Sequence, residues 1–301
     1  MTVAATVPPL EGTESIPQRV LGKTGERVPI LGLGTAPGGM GLTDIEAVDV
    51  IHAAIDEGIT YLDTAPGYAR AQIQLGEVLP NRREEVFLVT KTLANTAVEV
   101  QSILEQSLRD LKTDAVDLTF VHSVGSLDPE QILAADGALA GLREAQRRGL
   151  TRYVGFTAHH RTSHAVRILN EADPDVVMFA VNYVDRHTYD FQGKPLALAR
   201  AKGLGVAAMK VFGGAPGMKY DKPTRSLLAR SDPDAKRALD YALALPGVTT
   251  AVVGMFSTSE VAENAGYARA HTPLTSSDVE QLEAAGRTLA AEWKDHYGEA
   301  V

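Results

Sequence analysis

Val86-Phe87-Leu88-Val89-Thr90-Lys91 is a short apolar run that ends on a lysine, and two neighbouring runs follow the same pattern. Tyr61-Leu62-Asp63 ends on a carboxylate, and the run that opens at Val116 delivers His122. Short continuous apolar runs of this kind read as strands covered on both faces, the habit of a parallel sheet. Three successive strand ends carrying ionisable groups imply one shared mouth, because in a parallel βα barrel the carboxyl ends of all strands open on the same face. Tyr68 follows Asp63 closely enough to stand at that mouth too.

Working outward, strand-like and helix-like segments alternate from residue 19 with a period of roughly 30 to 35 residues, the cadence of repeated βα units. Strands are expected at 30–35, 60–63, 86–91, 116–121, 152–157, 176–181, 206–210 and 250–253. The first helix starts at the capping box Thr43-Asp44-Ile45-Glu46 and stops at Gly58. Further helices are expected at about 72–79, 98–111, 131–148, 162–171, 195–202, 232–245 and 259–269. Eight of each close a (β/α)8 TIM barrel. Arg19 to Val28, turning at Lys23-Thr24-Gly25, reads as a β-hairpin suited to plug the barrel floor. Ser277-Asp278-Val279-Glu280 has the form of a capping box for an extra C-terminal helix carrying Trp293. Residues 1–18 read as a flexible arm and 19–301 as one barrel domain. The Gly- and Pro-rich stretch 212–226 is a long loop after strand seven, and loops of that length are usually functional.

Composition narrows the classes. With 45% hydrophobic and 22% charged residues the chain has the makeup of a soluble globular protein. A formal charge of -9 disfavours a nucleic-acid surface, which needs a basic face. There is no cysteine, which removes disulfides, thiolate catalysis and Cys-based zinc sites and fits a reducing cytoplasm. Residues 1–15 lack the basic and apolar regions of a secretory signal, and no apolar run approaches the roughly 20 residues of a membrane helix. Nothing in the pattern specifies an oligomer.

Asp63, Tyr68, Lys91 and His122 make chemical sense together. A tyrosine hydroxyl, with a reference pKa of about 10, is a poor acid unless a nearby cation stabilises its phenolate. Lys91 supplies the cation, Asp63 fixes it and keeps it protonated, and His122 orients a carbonyl oxygen. The result is a proton donor beside an oxyanion pocket, with no nucleophile of its own. The electrons must therefore come from elsewhere, and a nicotinamide hydride is the obvious source. Taken singly, Asp63 can cap a loop, Tyr68 can pack, Lys91 can be solvated and His122 can be a satisfied core histidine. Their joint occurrence at consecutive strand ends is what favours chemistry.

Asp63-Thr-Ala-Pro-Gly-Tyr68, Leu75-Gly76, Val89-Thr90-Lys91 and Asp117-Leu118 leading to His122 resemble the aldo-keto reductase superfamily. Leu31-Gly32-Leu33-Gly34-Thr35, Arg152-Tyr153-Val154-Gly155-Phe156 and Glu263-Asn264 extend the resemblance from Arg19 to about Arg269. It implies an NAD(P)(H)-dependent carbonyl reductase or alcohol dehydrogenase on a (β/α)8 barrel, acting on a small aldehyde, ketone or sugar-like alcohol. Tyr68 would be the general acid, Lys91 and Asp63 its tuning pair, and His122 the carbonyl-orienting residue.

The same resemblance places the cofactor contacts. Thr35 belongs to the first-strand motif. The family's Ser-Asn after strand five and Gln on strand six read here as Thr157-Ala158 and Met178, which lose two amides, and Asn182 or His159 lies near enough to compensate. Met209 or Phe212 would cover the nicotinamide ring, and Gly213 and Gly214 allow close approach of phosphate. Lys210 would meet the pyrophosphate or an anionic substrate, unless it is simply solvated. The places that hold the 2′-phosphate in NADP-preferring members read Gly254 and Glu260, so the expectation leans to NAD(H), with Lys210 or Arg269 as substitute phosphate partners. Glu260 also fits a helix cap returning to the Ser257 amide. His160 and His164 suggest a helix face but lack a third metal ligand. Met40, Val124, Tyr220 and Trp293 are candidate pocket walls. Two other readings compete: a Schiff-base lyase or aldolase using Lys210 or Lys91, and a cofactor-binding regulatory subunit without catalysis.

Overall fold

The computed structural model of the chain describes residues 15–228 and 235–300. Most of the expected N-terminal arm therefore lies outside the described residues. Its last part is already structured: Ile16 is buried and Gln18 opens the first strand. β1 (Gln18–Val20) and β2 (Arg27–Pro29) pair antiparallel around a 3-10 turn at Gly22–Thr24. Leu21 and Val28 from this hairpin join the cluster that fills the barrel interior, so it closes the barrel from below.

Eight parallel strands close in chain order: β3 (Leu31–Gly34), β4 (Tyr61–Asp63), β5 (Phe87–Thr92), β6 (Val116–Val121), β7 (Thr151–Ala158), β8 (Val176–Ala180), β9 (Gly205–Met209) and β10 (Thr250–Gly254). The ring seals where Ala251 to Gly254 run beside Leu31 to Gly34. Helices cover the outside, which is why every residue of β5 and β6 is buried, the polar Thr90, Lys91, Thr92, Asp117 and Thr119 included. Inside, side chains alternate with period two. Tyr61, Phe87, Val89, Leu118 and Phe120 fill the lower barrel, and Tyr61 stacks on Phe87 with centroids 5.4 Å apart. Two residues further up the same three strands come Asp63, Lys91 and His122. The periodicity that builds the apolar stack thus delivers the ionisable group at its top.

The helices depart from expectation in informative places. The first, α1 (Ala36–Gly41), is a helical turn in a Pro- and Gly-rich stretch that carries no helix signal. Next comes α2 (Asp44–Asp56), which has the expected capping box: Thr43 N donates to Glu46 Oε2 at 2.9 Å and Glu46 N to Thr43 Oγ1 at 3.4 Å. Two further helices, α3 (Ala71–Arg82) and α4 (Ala97–Leu111), pack against each other. The single helix expected over 131–148 is two, α5 (Pro129–Leu133) and α6 (Ala138–Arg147). The backbone between them is diverted to hold the start of α4, with Ala97 N donating to Asp136 O at 2.7 Å. The barrel is completed by α7 (Thr162–Glu171), α8 (Lys194–Ala201), α9 (Ala235–Ala244) and α10 (Thr258–Arg269), and α11 (Ser276–Trp293) is the extra helix. The cap of α11 is Thr275 with Asp278, two residues earlier than the Ser277 and Glu280 expected. At α10, Ser257 caps as expected, but Glu260 Oε2 accepts from Phe256 N at 2.7 Å instead of from Ser257.

Two long-range contacts shape the mouth. A Cβ on Gly41 would fall 2.3 Å from Tyr220 O, so the loop after β9 crosses directly onto α1. Beyond α11 the tail folds back over the loop after β7: Arg161 N donates to Glu299 O at 2.9 Å, and Arg161 pairs with the Glu299 carboxylate at 2.6 Å. Among the described residues no helix is long and apolar enough to cross a membrane.

Candidate active site

Lys91 is the centre of the polar layer above the barrel core. Its Nζ donates to Asp63 Oδ1 at 2.5 Å and to Thr64 O at 2.9 Å, with Lys91 1% and Asp63 3% exposed. Burial alone pulls the Lys91 ammonium down, but Asp63 and Tyr68 outweigh it and hold the pKa above its ordinary value. Burial raises the Asp63 carboxyl, against the pull of Lys91. The two keep each other charged in a place where neither would be charged alone.

The Lys91 ammonium lies 4.8 Å from the centroid of the half-buried Tyr68 ring. Burial raises the Tyr68 hydroxyl pKa, and the Lys91 charge offsets part of that rise. At neutral pH Tyr68 is therefore a protonated phenol with a cation beside it, able to give a proton and to have the resulting phenolate stabilised. His122 meets the Tyr68 ring edge-on at 5.9 Å. Burial, then the charges of Lys91 and Lys210, lower its pKa to about 3, so its imidazole is neutral and can donate one N–H.

Asp63 and Tyr68 line a cavity of about 520 Å³, within the usual range of roughly 300 to 1,000 Å³ for small-molecule sites. Lys91 and His122 are not among its lining residues and adjoin it through their contacts with Asp63 and Tyr68. Of the expected cofactor residues, Met209, Lys210, Phe212, Gly214, Gly254, Glu260, Glu263 and Asn264 line the cavity, as does Met178. Thr35, Thr157, Asn182 and Gly213 do not. Thr35 Oγ1 donates to Asp63 O at 3.0 Å, and Thr157 Oγ1 accepts from Ser123 N at 2.8 Å, so both serve as braces for strand-end loops. Asn182 is fully used within the protein: its oxygen accepts from Val184 and Asp185 amides and its nitrogen donates to Asp185 and to Lys210 O. It is not free to replace a lost carboxamide contact. Gly213 sits behind the wall, its carbonyl accepting from Tyr297.

Other candidates are reassigned by their contacts. Arg269 donates to Glu57 O and pairs with the Glu57 carboxylate, outside the cavity. His160 precedes α7 instead of lying on it and meets Ser126 Oγ, while His164 Nδ1 meets Val124 O. No group of three metal-binding side chains occurs among the described residues. Of the candidate walls, Tyr220 lines the cavity; Val124 is buried, Met40 is exposed and Trp293 packs behind Gly213. Arg225, Phe256 and Tyr267 line the cavity without having been anticipated. Arg225 lies in the long loop after β9, Phe256 in the turn after β10 and Tyr267 on α10.

A nicotinamide dinucleotide suits the groups around the cavity. Asn264 Oδ1 and Asp63 Oδ2 are buried without a hydrogen-bond partner among the described residues, and both residues border the cavity. Met178 and Met209 offer soft apolar surface for a flat ring, and Lys210 offers a cation.

Comparison with known proteins agrees with this geometry. A sequence profile described as the Aldo/keto reductase family matches residues 30–236. L-galactose dehydrogenase of Arabidopsis thaliana is 27% identical over 279 residues, covering 82% of this chain and 86% of that protein. The holo form of an aldo-keto reductase from Bacillus halodurans superposes with a TM-score of 0.73 at 22% identity, covering 94% of this chain and 100% of the other. An aldo/keto reductase from Klebsiella pneumoniae in complex with NADP and acetate gives 0.70 at 23% identity, covering 88% and 94%. The chain belongs to the aldo/keto reductase family and is a nicotinamide-dependent oxidoreductase of carbonyl compounds.

Proposed function

We propose that the protein reduces an aldehyde or ketone with NADH, Tyr68 acting as the general acid. The observation that supports this most is the Lys91 ammonium held 4.8 Å from the Tyr68 ring and tied to Asp63 at 2.5 Å. Bound reduced nicotinamide supplies the hydride. Tyr68 hydrogen-bonds the carbonyl oxygen and gives it a proton as negative charge develops there, and the phenolate left behind is stabilised by Lys91. His122, neutral at working pH, donates its N–H to the same oxygen and fixes the direction of approach. Solvent restores the Tyr68 proton.

The preference for NAD(H) rests on Glu260 and Glu263, two carboxylates on the wall away from Tyr68 where a 2′-phosphate would be repelled and a ribose hydroxyl can donate. The Schiff-base reading fares poorly for Lys91, which is buried and held protonated, so its nitrogen has no lone pair to attack a carbonyl; for Lys210, borohydride trapping of a lysine-substrate adduct is the test. A regulatory subunit would have no need of a proton donor poised in this way.

The test is NADH-dependent reduction of a panel of small aldehydes by wild type and Tyr68→Phe. Turnover should fall by about 10² to 10⁴ in the variant, the usual worth of a positioned acid, while NADH fluorescence titration still reports binding. Turnover unaffected by the change would remove Tyr68 from this role.

A further inference from the structure

Lys210 is placed with more care than a solvated strand-end lysine requires. It follows β9 with φ +58, a left-handed conformation that non-glycine residues rarely adopt. Its carbonyl is gripped by Gly213 N at 2.7 Å and Asn182 Nδ2 at 3.0 Å. This arrangement sends the side chain into the cavity. The ammonium donates to Tyr220 Oη at 2.8 Å and lies 5.0 Å from the Tyr220 ring centroid and 6.0 Å from that of Tyr297. An ammonium has three N–H donors. Among the described residues no carboxylate lies within ion-pairing distance of this one.

The surroundings of Lys210 belong to the reacting end of the cavity. The Tyr297 ring packs against His159 at 6.1 Å, and His159 lies 6.2 Å from His122, whose ring meets Tyr68. His159 lines the same cavity, with its Nδ1 buried and without a partner among the described residues. The Lys210 charge also contributes, after burial, to keeping His159 neutral. A cation with no carboxylate partner among the described residues therefore stands beside the groups that frame the acid.

We propose that Lys210, presented by Tyr220, receives an anionic group of the substrate, so that the physiological substrate is an aldehyde or ketone bearing a carboxylate or phosphate. The proposal rests on the reading of Tyr68 as the acid. The carbonyl carbon takes a hydride from reduced nicotinamide and the carbonyl oxygen takes the Tyr68 proton, giving the anionic alcohol and oxidised nicotinamide.

Matched pairs test it: 4-oxobutanoate against butanal, and glyceraldehyde 3-phosphate against glyceraldehyde, with wild type, Lys210→Met and Lys210→Arg. Wild type should favour the charged member of one pair by at least about tenfold in kcat/KM, mainly through KM. The preferred pair distinguishes carboxylate from phosphate. The preference should collapse toward one in Lys210→Met and partly return in Lys210→Arg. Equal use of charged and neutral members by wild type overturns the proposal while leaving the role of Tyr68 intact. A rise in NADH Kd in Lys210→Met, with equal losses for both members of a pair, also overturns it and assigns Lys210 to the dinucleotide phosphates. Failure of wild type to oxidise NADH with any of the four compounds while Tyr68→Phe behaves identically overturns both readings.

Discussion

Replacing Lys91 with methionine keeps most of the side chain's volume and removes only its charge and donors. What remains is Asp63, 3% exposed, without the ammonium at 2.5 Å. At an effective dielectric of about 20 that contact carries roughly 6–7 kcal/mol of attraction, most of it offset by the cost of taking two ions out of water. Breaking a buried pair from one side costs about 3–5 kcal/mol. Taking about 3 kcal/mol, and about 2.1 cal/mol/K of unfolding entropy per residue, Tm should fall by about 5 °C for a chain of this size. The loss should also depend on pH. The Asp63 carboxyl already sits above its ordinary value through burial, and without Lys91 it rises further. A raised folded-state pKa means that the native chain binds more protons than the unfolded one between the two values. The associated stability is complete below about pH 4 and lost as pH climbs toward the folded value. Lys91→Met should therefore lag wild type more at pH 8 than at pH 5, and Lys91→Met with Asp63→Asn should recover part of the deficit. Thermal unfolding followed by circular dichroism at both pH values measures this. A single variant within 2 °C of wild type at pH 8, or a double variant no more stable than the single, would refute the account of the pair.

His122, with its pKa lowered to about 3 by burial and neighbouring cations, should show no ring titration by NMR between pH 5 and 8. Because its folded pKa lies below the unfolded value of about 6.5, its contribution to stability should be lost as pH falls from there toward 3; a ring titrating near 6.5 contradicts its assignment as a neutral donor. Gly76→Ala would place a Cβ 2.2 Å from Asp110 O, forcing α3 and α4 apart; overpacking of this kind costs about 1–3 kcal/mol, and urea midpoints equal to wild type would show that the helices part freely. Wild type should bind NADH more tightly than NADPH, and Glu260→Arg should tighten NADPH about tenfold, or about 1.4 kcal/mol. Fluorescence titrations showing a wild-type preference for NADPH would reverse the cofactor assignment.

The barrel and the polar layer above its core were legible because one rule governs both. On β4, β5 and β6 the period-two alternation that marks Tyr61, Val89 and Phe120 as interior also marks Asp63, Lys91 and His122 as the next layer up. The cavity wall was legible at strand ends, as with Met178, Met209 and Gly254, and at the Glu260, Glu263 and Asn264 positions of α10 that the family motif marks. Arg225 and Tyr267 reach the cavity through the path of a long loop and the tilt of a helix, which no local pattern encodes. Asn182 shows the converse: its residue type fits a ligand contact, yet four internal hydrogen bonds leave it nothing to offer. The split between α5 and α6 was hidden for a similar reason, since the partner of the diverted backbone lies about 40 residues away in the chain.

The tail that folds over the loop after β7 places Tyr297 behind both His159 and Lys210. Part of the support for the substrate wall is thus written in the last few codons of the described chain, while the barrel that carries the acid is written elsewhere. Substrate scope can accordingly be diversified from a single randomised oligonucleotide spanning residues 294–300, leaving the catalytic layer untouched. For the same reason an affinity tag belongs at the other terminus, where it is remote in sequence from this strap.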